Sequence, residues 1–188
     1  MITVKCGPTV RAARSQKVRW QIVACGRRRA AFENFLLALD THPDAFNVLL
    51  VDSEGPVHHG PKEYLKSRDG WNLPDISVEH YHLMAQIMEA WLVADRDALR
   101  KFYGQRFNAN AIPRSPNVEQ IGKQDPESAL KEATRHTAKG EYHKIHHGPK
   151  ILSQLDVSRV RKAATYCNRL FTTLTDRINS AYNSQQSM

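Results

Sequence analysis

The sequence lacks any hydrophobic run that could cross a membrane, since none approaches about 18 consecutive apolar residues. It also lacks the charged, apolar and small-residue succession of a secretion signal. Its three cysteines, Cys6, Cys25 and Cys167, are scattered and do not have the spacing of metal ligands. These absences predict a cytoplasmic protein with reduced thiols, without a membrane span, a disulfide framework or a cysteine zinc site.

Acidic residues are missing from the first 32 positions, which hold eight of the 27 lysines and arginines. The other 19 basic residues match the 19 acidic ones, so the net charge of +8 belongs to this segment. Arg27, Arg28 and Arg29 stand there between a predicted strand and a predicted helix, and they are candidates to bind the phosphates of a nucleic acid. Two alternatives remain: a solvated segment that keeps the protein soluble and an organelle transit peptide.

A strongly apolar stretch at residues 46–51 runs directly into acidic residues. Because Val and Leu follow one another there without alternation, the stretch predicts a strand buried on both faces, as in a parallel sheet. The Gly55-Pro56 pair ends it, so Asp52 and Glu54 are expected at the carboxyl edge, where open α/β sheets bind ligands. Two carboxylates brought together there favour a Mg²⁺ (or Mn²⁺) site. The alternative is a polar loop that caps the strand.

A third acid interrupts a second apolar segment, which predicts one buried helix over about residues 78–94. At helical spacing, His82, Gln86 and Glu89 share one face of it. Burial of an unpaired carboxylate is very costly. Glu89 is therefore expected either to join Asp52 and Glu54 in a three-carboxylate metal site or to form a salt bridge with a lysine or arginine.

The remaining pattern alternates strand and helix and then becomes helical. In chain order it predicts a strand at 20–24, a helix at 30–39, the strand at 46–51, a loop at 53–78, the buried helix, and helical segments at 125–137 and 149–180. The first three elements form a βαβ unit. The expected fold class is α/β, with a small core of parallel strands and a helical C-terminal part.

This organisation predicts one main domain with two short flanking segments. A basic N-terminal segment occupies residues 1–19, the α/β domain residues 20–182, and a polar tail residues 183–188. The N-terminal segment is interpreted as what remains of a first strand.

The pentapeptide His-His-Gly-Pro-Lys occurs twice, at residues 58–62 and 146–150. Four histidines could form a tetrahedral zinc site. Adjacent histidines point in different directions, however, which is poorly suited to chelation. Each copy is followed by an amphipathic run, so the simpler interpretation is a pair of similar loop-to-helix starts.

Several motifs occur together in an order that is specific as a combination. They are Val23–Arg27, Leu49–Pro56, Leu65–Trp71, Leu83–Asp95, Pro116–Glu119, Lys139–Lys144 and Arg169–Phe171. Over about residues 20–175, the chain resembles an uncharacterised bacterial family of domains of unknown function that belongs to the Toprim-like group. Toprim domains are small α/β folds of topoisomerases, primases and nucleases of the overcoming-lysogenization-defect type.

The resemblance implies a Mg²⁺-dependent nuclease. Toprim domains hold the ion with a glutamate after the first strand and a pair of acids after a later strand, and Asp52 and Glu54 would be that pair. The candidate catalytic residues are Asp52, Glu54, Glu89, Lys139, His143 and Lys144, of which the three acids are the candidate metal ligands. Many relatives are encoded beside ATPases of the structural-maintenance type, which implies such a partner and a role in phage defence.

The chain departs from this pattern at its beginning. Residues 1–19 contain no acid, so the first-strand glutamate of the resemblance is missing. A truncated chain, a miscalled start and a degenerate member of the family would each explain this. Two functions therefore remain: a metal-dependent nucleic-acid phosphodiesterase, and a catalytically degenerate module that binds an ATPase partner or nucleic acid without cleaving it.

Overall fold

The computed structural model describes residues 21–186, with side chains up to Asn183. Its helices and strands are α1 (Arg28–Thr41), β1 (Leu49–Asp52), α2 (Pro61–Asp69), β2 (Tyr81–Met84), α3 (Met88–Ala94), α4 (Arg96–Tyr103), α5 (Gln124–Thr134), α6 (Lys144–Leu152), α7 (Val157–Ala163) and α8 (Thr165–Gln186). Short 3₁₀ turns lie at Val78–His80, Ala109–Ala111 and Val118–Gln120. The fold is thus a mixed α/β structure dominated by helices. No helix in this part of the chain is long and apolar enough to cross a membrane.

The two strands form a parallel pair in which Leu49 lies opposite Tyr81 and Asp52 opposite Met84. Side chains of a strand alternate between the two faces of a sheet. Leu49 and Val51 accordingly share one face of β1, and Leu50 and Asp52 the other. A parallel pair brings both carboxyl ends to one edge, so the sequence following Asp52 meets the sequence following Met84.

The sheet separates two apolar cores. On one face, Phe32 and Phe35 of α1 pack with the residues that β1 and β2 direct there, and Phe32 stacks on Trp71 with ring centroids 4.4 Å apart. On the other face, Met84 joins a larger core contributed by α3 to α8. Burial on both faces explains why β1 reads as a continuous Val and Leu run.

The single buried helix expected over residues 78–94 is wrong. The segment forms a 3₁₀ turn, strand β2, a corner at residues 85–87 and then α3. All of Tyr81 to Met84 is buried, including the polar His82, so the segment has no exposed face whose periodicity would separate a strand from a helix. The corner is made by Gln86, whose φ of 60° is incompatible with a continuing helix.

The other segment boundaries are partly confirmed. The expected helices at 30–39 and 125–137 correspond to α1 and α5. The stretch at 149–180 is helical but divided among α6, α7 and α8, and the expected loop at 53–78 contains α2. Residues 21–25 have no regular structure where a strand was expected, and Trp20 lies outside the described residues.

The two copies of the repeated pentapeptide occupy different structures. In the first copy, Pro61 begins α2, as expected for a loop-to-helix start. The second copy lies inside α6, where that interpretation is wrong. Gly148 is closely packed there, because a Cβ at this position would lie 2.8 Å from Cε of Met88 and 3.3 Å from the hydroxyl of Tyr142, so the end of the Met88 side chain would have to shift.

Candidate functional site

Asp52 is the last residue of β1 and points away from the α1 side of the sheet. Its Oδ1 atom is fully buried and has no hydrogen-bond partner among residues 21–186. Burial raises the pKa of Asp52 to about 6, against which the nearby positive charges of Lys144 and Arg28 act, while Glu89 and Glu54 raise it further. An unpaired buried carboxylate oxygen is costly and calls for a proton or a cation.

Glu54 follows two residues later, on a corner that is closely tied to the end of β2. The side chain of Ser53 is fully buried, and its Oγ accepts a hydrogen bond from the N–H of Gln86 at 2.6 Å. The N–H of Glu54 donates to the carbonyl of Gln86 at 2.7 Å. The carboxylate of Glu54 projects outward, where a hydrogen bond from Lys123 at 3.0 Å lowers its pKa.

Glu89 is fully buried at the start of α3. Its Oε1 accepts a hydrogen bond from the hydroxyl of Tyr142 at 2.9 Å, and its Oε2 lies 3.1 Å from Nζ of Lys144. Of the two expectations for this acid, the structure therefore shows the salt bridge. Burial, together with the neighbouring Glu89, raises the pKa of Tyr142, so this phenol remains a hydrogen-bond donor.

These groups meet at an open cleft with a volume of about 390 Å³. Asp52, Glu54 and Ile87 line the wall formed by the sheet edge, and Lys144 enters from the start of α6. A second wall comes from α5 and the residue before it, and consists of Lys123, Gln124, Glu127, Ser128 and Lys131. Asp52, Glu54 and Lys144 therefore line one cleft, and Glu89 contacts it only through its salt bridge with Lys144.

The remaining sequence candidates are not among the residues that line the cleft. Lys139 lies with its Nζ 5.3 Å from the ring centre of Phe102. His143 caps α6, where its Nδ1 accepts from the N–H of His146 at 3.4 Å. Their assignment to catalysis gains no support from this placement.

The three arginines also have separate roles. Arg28 forms a salt bridge with Asp69 at 2.6 Å and donates to the main-chain carbonyl of Asp52. Arg29 pairs with Glu33 one turn further along α1 at 2.8 Å, and Arg27 is exposed. Arg28 is consequently a support for the end of β1, and only its two neighbours are well exposed.

The donor set can be compared with what a metal ion requires. In the part of the chain that the structure describes, no three His, Cys, Asp or Glu side chains form a ready metal site. Mg²⁺ usually keeps several waters and binds through one or two carboxylates, so a complete protein cage is not required. The orphaned Oδ1 of Asp52, with Glu54 beside it, is compatible with a hard cation held in this way.

Comparison with protein families identifies the family of the chain. A family model described as domain of unknown function (DUF4276) matches residues 5–175. The chain belongs to this family. No curated protein and no solved structure matches it.

Sequence reasoning missed the second wall of the cleft in this DUF4276 domain. Lys123 and Lys131 come 71 and 79 residues after Asp52, and only the tertiary fold brings them to the sheet edge. A signal was present in the spacing of Gln124, Ser128 and Lys131, which puts three polar side chains on one face of α5. On its own, that stripe is indistinguishable from an ordinary solvated helix face.

Proposed function

We propose that this DUF4276 domain is a Toprim-like phosphodiesterase that cleaves nucleic acid with the help of a divalent cation, Mg²⁺ or Mn²⁺. The observation that carries the proposal is the buried, unpartnered Oδ1 of Asp52 at the carboxyl edge of a parallel strand pair. Ligands of open α/β sheets bind at this edge. Glu54 and the salt-bridged Glu89 lie close enough to influence the same carboxyl group.

Asp52 and Glu54 would hold the cation, and Glu89 would act from behind through Lys144. A bound divalent cation supplies a Lewis acid that polarises a phosphate and stabilises the charge on the leaving oxygen. Lys144 is half-exposed, and its Nζ stays near the cleft because Glu89 holds it at 3.1 Å. Its ammonium group is therefore positioned to bind a phosphate oxygen on which negative charge develops.

The proposal is tested by comparing Asp52→Asn with Asp40→Asn, which changes an exposed acid near the end of α1. Calorimetric titration with Mn²⁺ should show weak binding that is lost in Asp52→Asn and kept in the control. Labelled single-stranded and duplex DNA and RNA should be cut in Mg²⁺ or Mn²⁺ by the wild type and the control only. Equal Mn²⁺ binding in both variants would contradict the proposal.

A specific observation favours a second candidate function, a non-cleaving module. Lysines already neutralise two of the three acids, with Lys123 at 3.0 Å from Glu54 and Lys144 at 3.1 Å from Glu89. Such a site would bind nucleic acid or a partner without needing a cation. Nucleic-acid binding that is unchanged by a chelator, together with no cleavage in any metal, would select this candidate.

The proposal extends to the setting in which the domain would work. A partner ATPase of the structural-maintenance type and a role in phage defence are supported by the resemblance alone. Co-purification of the domain with the product of a neighbouring ATPase gene, followed by a phage-challenge assay with Asp52→Asn, tests both.

A further inference from the structure

The wall of the cleft contributed by α5 has a chemistry of its own. Gln124, Ser128 and Lys131 occupy positions i, i+4 and i+7 of the helix and all line the cleft. They lie on a different element from the acids, which follow β1. The α5 wall therefore carries an amide, a hydroxyl and the ammonium groups of two lysines, together with the carboxylate of Glu127 that pairs with Lys131.

The cleft has room for a ligand larger than an ion. Its volume of about 390 Å³ falls within the range of roughly 300–1,000 Å³ that is usual for pockets of small molecules. A cation held by Asp52 and Glu54 would occupy only the sheet-edge wall. Space remains in front of α5 for a further group of the substrate.

The lining indicates what that group is. Ile87 is the one apolar side chain among the described residues that line the cleft, and none of them is aromatic. Proteins that hold unpaired bases usually stack them on aromatic rings. The part of the substrate inside the cleft is therefore expected to be its polar, anionic backbone.

The lysine on this wall is able to change partner. Lys131 pairs with Glu127 at 2.8 Å, and both side chains are about two-fifths exposed. Exposed i,i+4 pairs of this kind contribute little to stability. Exchanging the carboxylate for a phosphate oxygen would cost the fold little, and Gln124 and Ser128 provide further hydrogen-bond donors.

We propose that Lys131, Gln124 and Ser128 form a subsite for the phosphate next to the one that reacts. The substrate is then a nucleic-acid strand with at least two consecutive phosphates, held by its backbone and not by its bases. This inference rests on the proposed function, in which the reacting phosphate lies over Asp52 and Glu54.

The test compares thymidine 5′-monophosphate with the 5′-phosphorylated thymidine dinucleotide, which carries two phosphates. Calorimetry is done in Ca²⁺, so that binding is measured without cleavage. The wild type should bind the dinucleotide more tightly than the mononucleotide. Lys131→Gln should weaken dinucleotide binding roughly tenfold, since a charge-assisted contact is lost, and should leave mononucleotide binding unchanged.

Arg135→Gln is the matched control, because Arg135 is an exposed cation directly after α5, four residues beyond Lys131, that pairs with Glu132 at 2.7 Å and does not line the cleft. It should change neither affinity. Equal affinity of the wild type for the two ligands, or an equal loss for both in Lys131→Gln, would overturn the subsite. Mn²⁺ binding that depends on Asp52 is measured separately, so a failure of the proposed function is distinguishable from a failure of the subsite.

Discussion

Glu54 and Gln86 both have a φ of 60°, and the backbone N–H of Glu54 donates to the carbonyl of Gln86 at 2.7 Å. Residues with side chains seldom adopt this left-handed conformation, and it is maintained only where surrounding contacts compensate its cost. Each of the two residues lies just beyond the end of a strand. The strained corner therefore determines where the carboxylate of Glu54 lies relative to Asp52.

Ser53 is the residue that ties this corner together. Its Oγ accepts from the N–H of Gln86 and donates to the carbonyl of Gly55, both at 2.6 Å, and its main-chain carbonyl accepts from the hydroxyl of Tyr64 at 2.8 Å. The side chain is fully buried, so no water replaces a lost partner. Ser53 therefore fixes the backbone of this corner.

Ser53→Ala should lower the free energy of unfolding by about 1–3 kcal/mol, because the buried N–H of Gln86 loses its acceptor. Mn²⁺ affinity should fall as well, since Glu54 is no longer held in place. Urea unfolding and calorimetric titration measure the two effects. Ser67→Ala is the control, since its exposed hydroxyl bonds only the carbonyl of Tyr64 within α2. A loss of stability with unchanged Mn²⁺ affinity would show that the corner is structural only.

Part of the site could be predicted from the sequence and part could not. β1 and its two acids were predictable, because a parallel strand buried on both faces has a continuous Val and Leu sequence and Gly-Pro marks its end. The left-handed corners left no signal, since Glu and Gln are not the residues that favour this conformation. Their strain is supported by contacts between positions more than thirty residues apart, which local propensity does not describe.

The prediction of a single buried helix over residues 78–94 failed for a related reason. Tyr81 to Met84 carry apolar and polar side chains that are all buried, because His82 finds its partners inside the protein. Arg169 of α8 donates to Nδ1 of His82 at 3.0 Å. The other ring nitrogen of His82, Nε2, lies 2.9 Å from the carbonyl of Glu79. Because His82 is buried against an arginine that is distant in sequence, β2 has no exposed polar face, and its sequence shows no alternation of polar and apolar residues.

The same contacts make His82 a determinant of acid stability. Burial lowers the pKa of His82 to about 4, and the positive charge of Arg169 acts in the same direction. In the unfolded chain the imidazole is protonated below about pH 6.5. Between these values the unfolded chain binds a proton that the folded protein does not, so the free energy of unfolding falls as the pH falls.

We expect the contribution of His82 to the free energy of unfolding to decrease by roughly 2 kcal/mol as the pH falls from about 7.5 to about 5. The measurement is urea unfolding of the wild type and of His82→Gln at both pH values, because glutamine can hydrogen bond but does not titrate. The comparison is needed since Asp52, with its pKa raised by burial to about 6, contributes with the opposite sign. An identical loss of stability in both proteins would exclude His82 as the cause.

Glu89 links a buried tyrosine to a lysine that lines the cleft. Its two oxygens have different partners, the buried hydroxyl of Tyr142 and the half-exposed ammonium of Lys144. Glu89→Ala removes both interactions and leaves a cavity. A loss of cation binding in that variant would not distinguish a structural role from a functional one.

Glu89→Gln separates the two roles. The amide oxygen can still accept from Tyr142, and Lys144 can turn toward solvent, so we expect the free energy of unfolding to change by about 1 kcal/mol or less. Glu89→Ala should cost about 1–3 kcal/mol for the buried hydroxyl of Tyr142 that it leaves unpaired, and more for the cavity. Both values are obtained by urea unfolding.

If the charge of Glu89 serves the cleft, Glu89→Gln should fold normally and still lose cleavage and Mn²⁺ affinity. Lys144→Met is the complementary variant, since it removes the ammonium and leaves Glu89 charged and bonded to Tyr142. That variant should bind Mn²⁺ at least as tightly as the wild type, because a competing cation is gone, while cleavage falls for want of a charge near the phosphate. Full activity in Glu89→Gln would instead assign Glu89 to the hydrogen bond with Tyr142 alone.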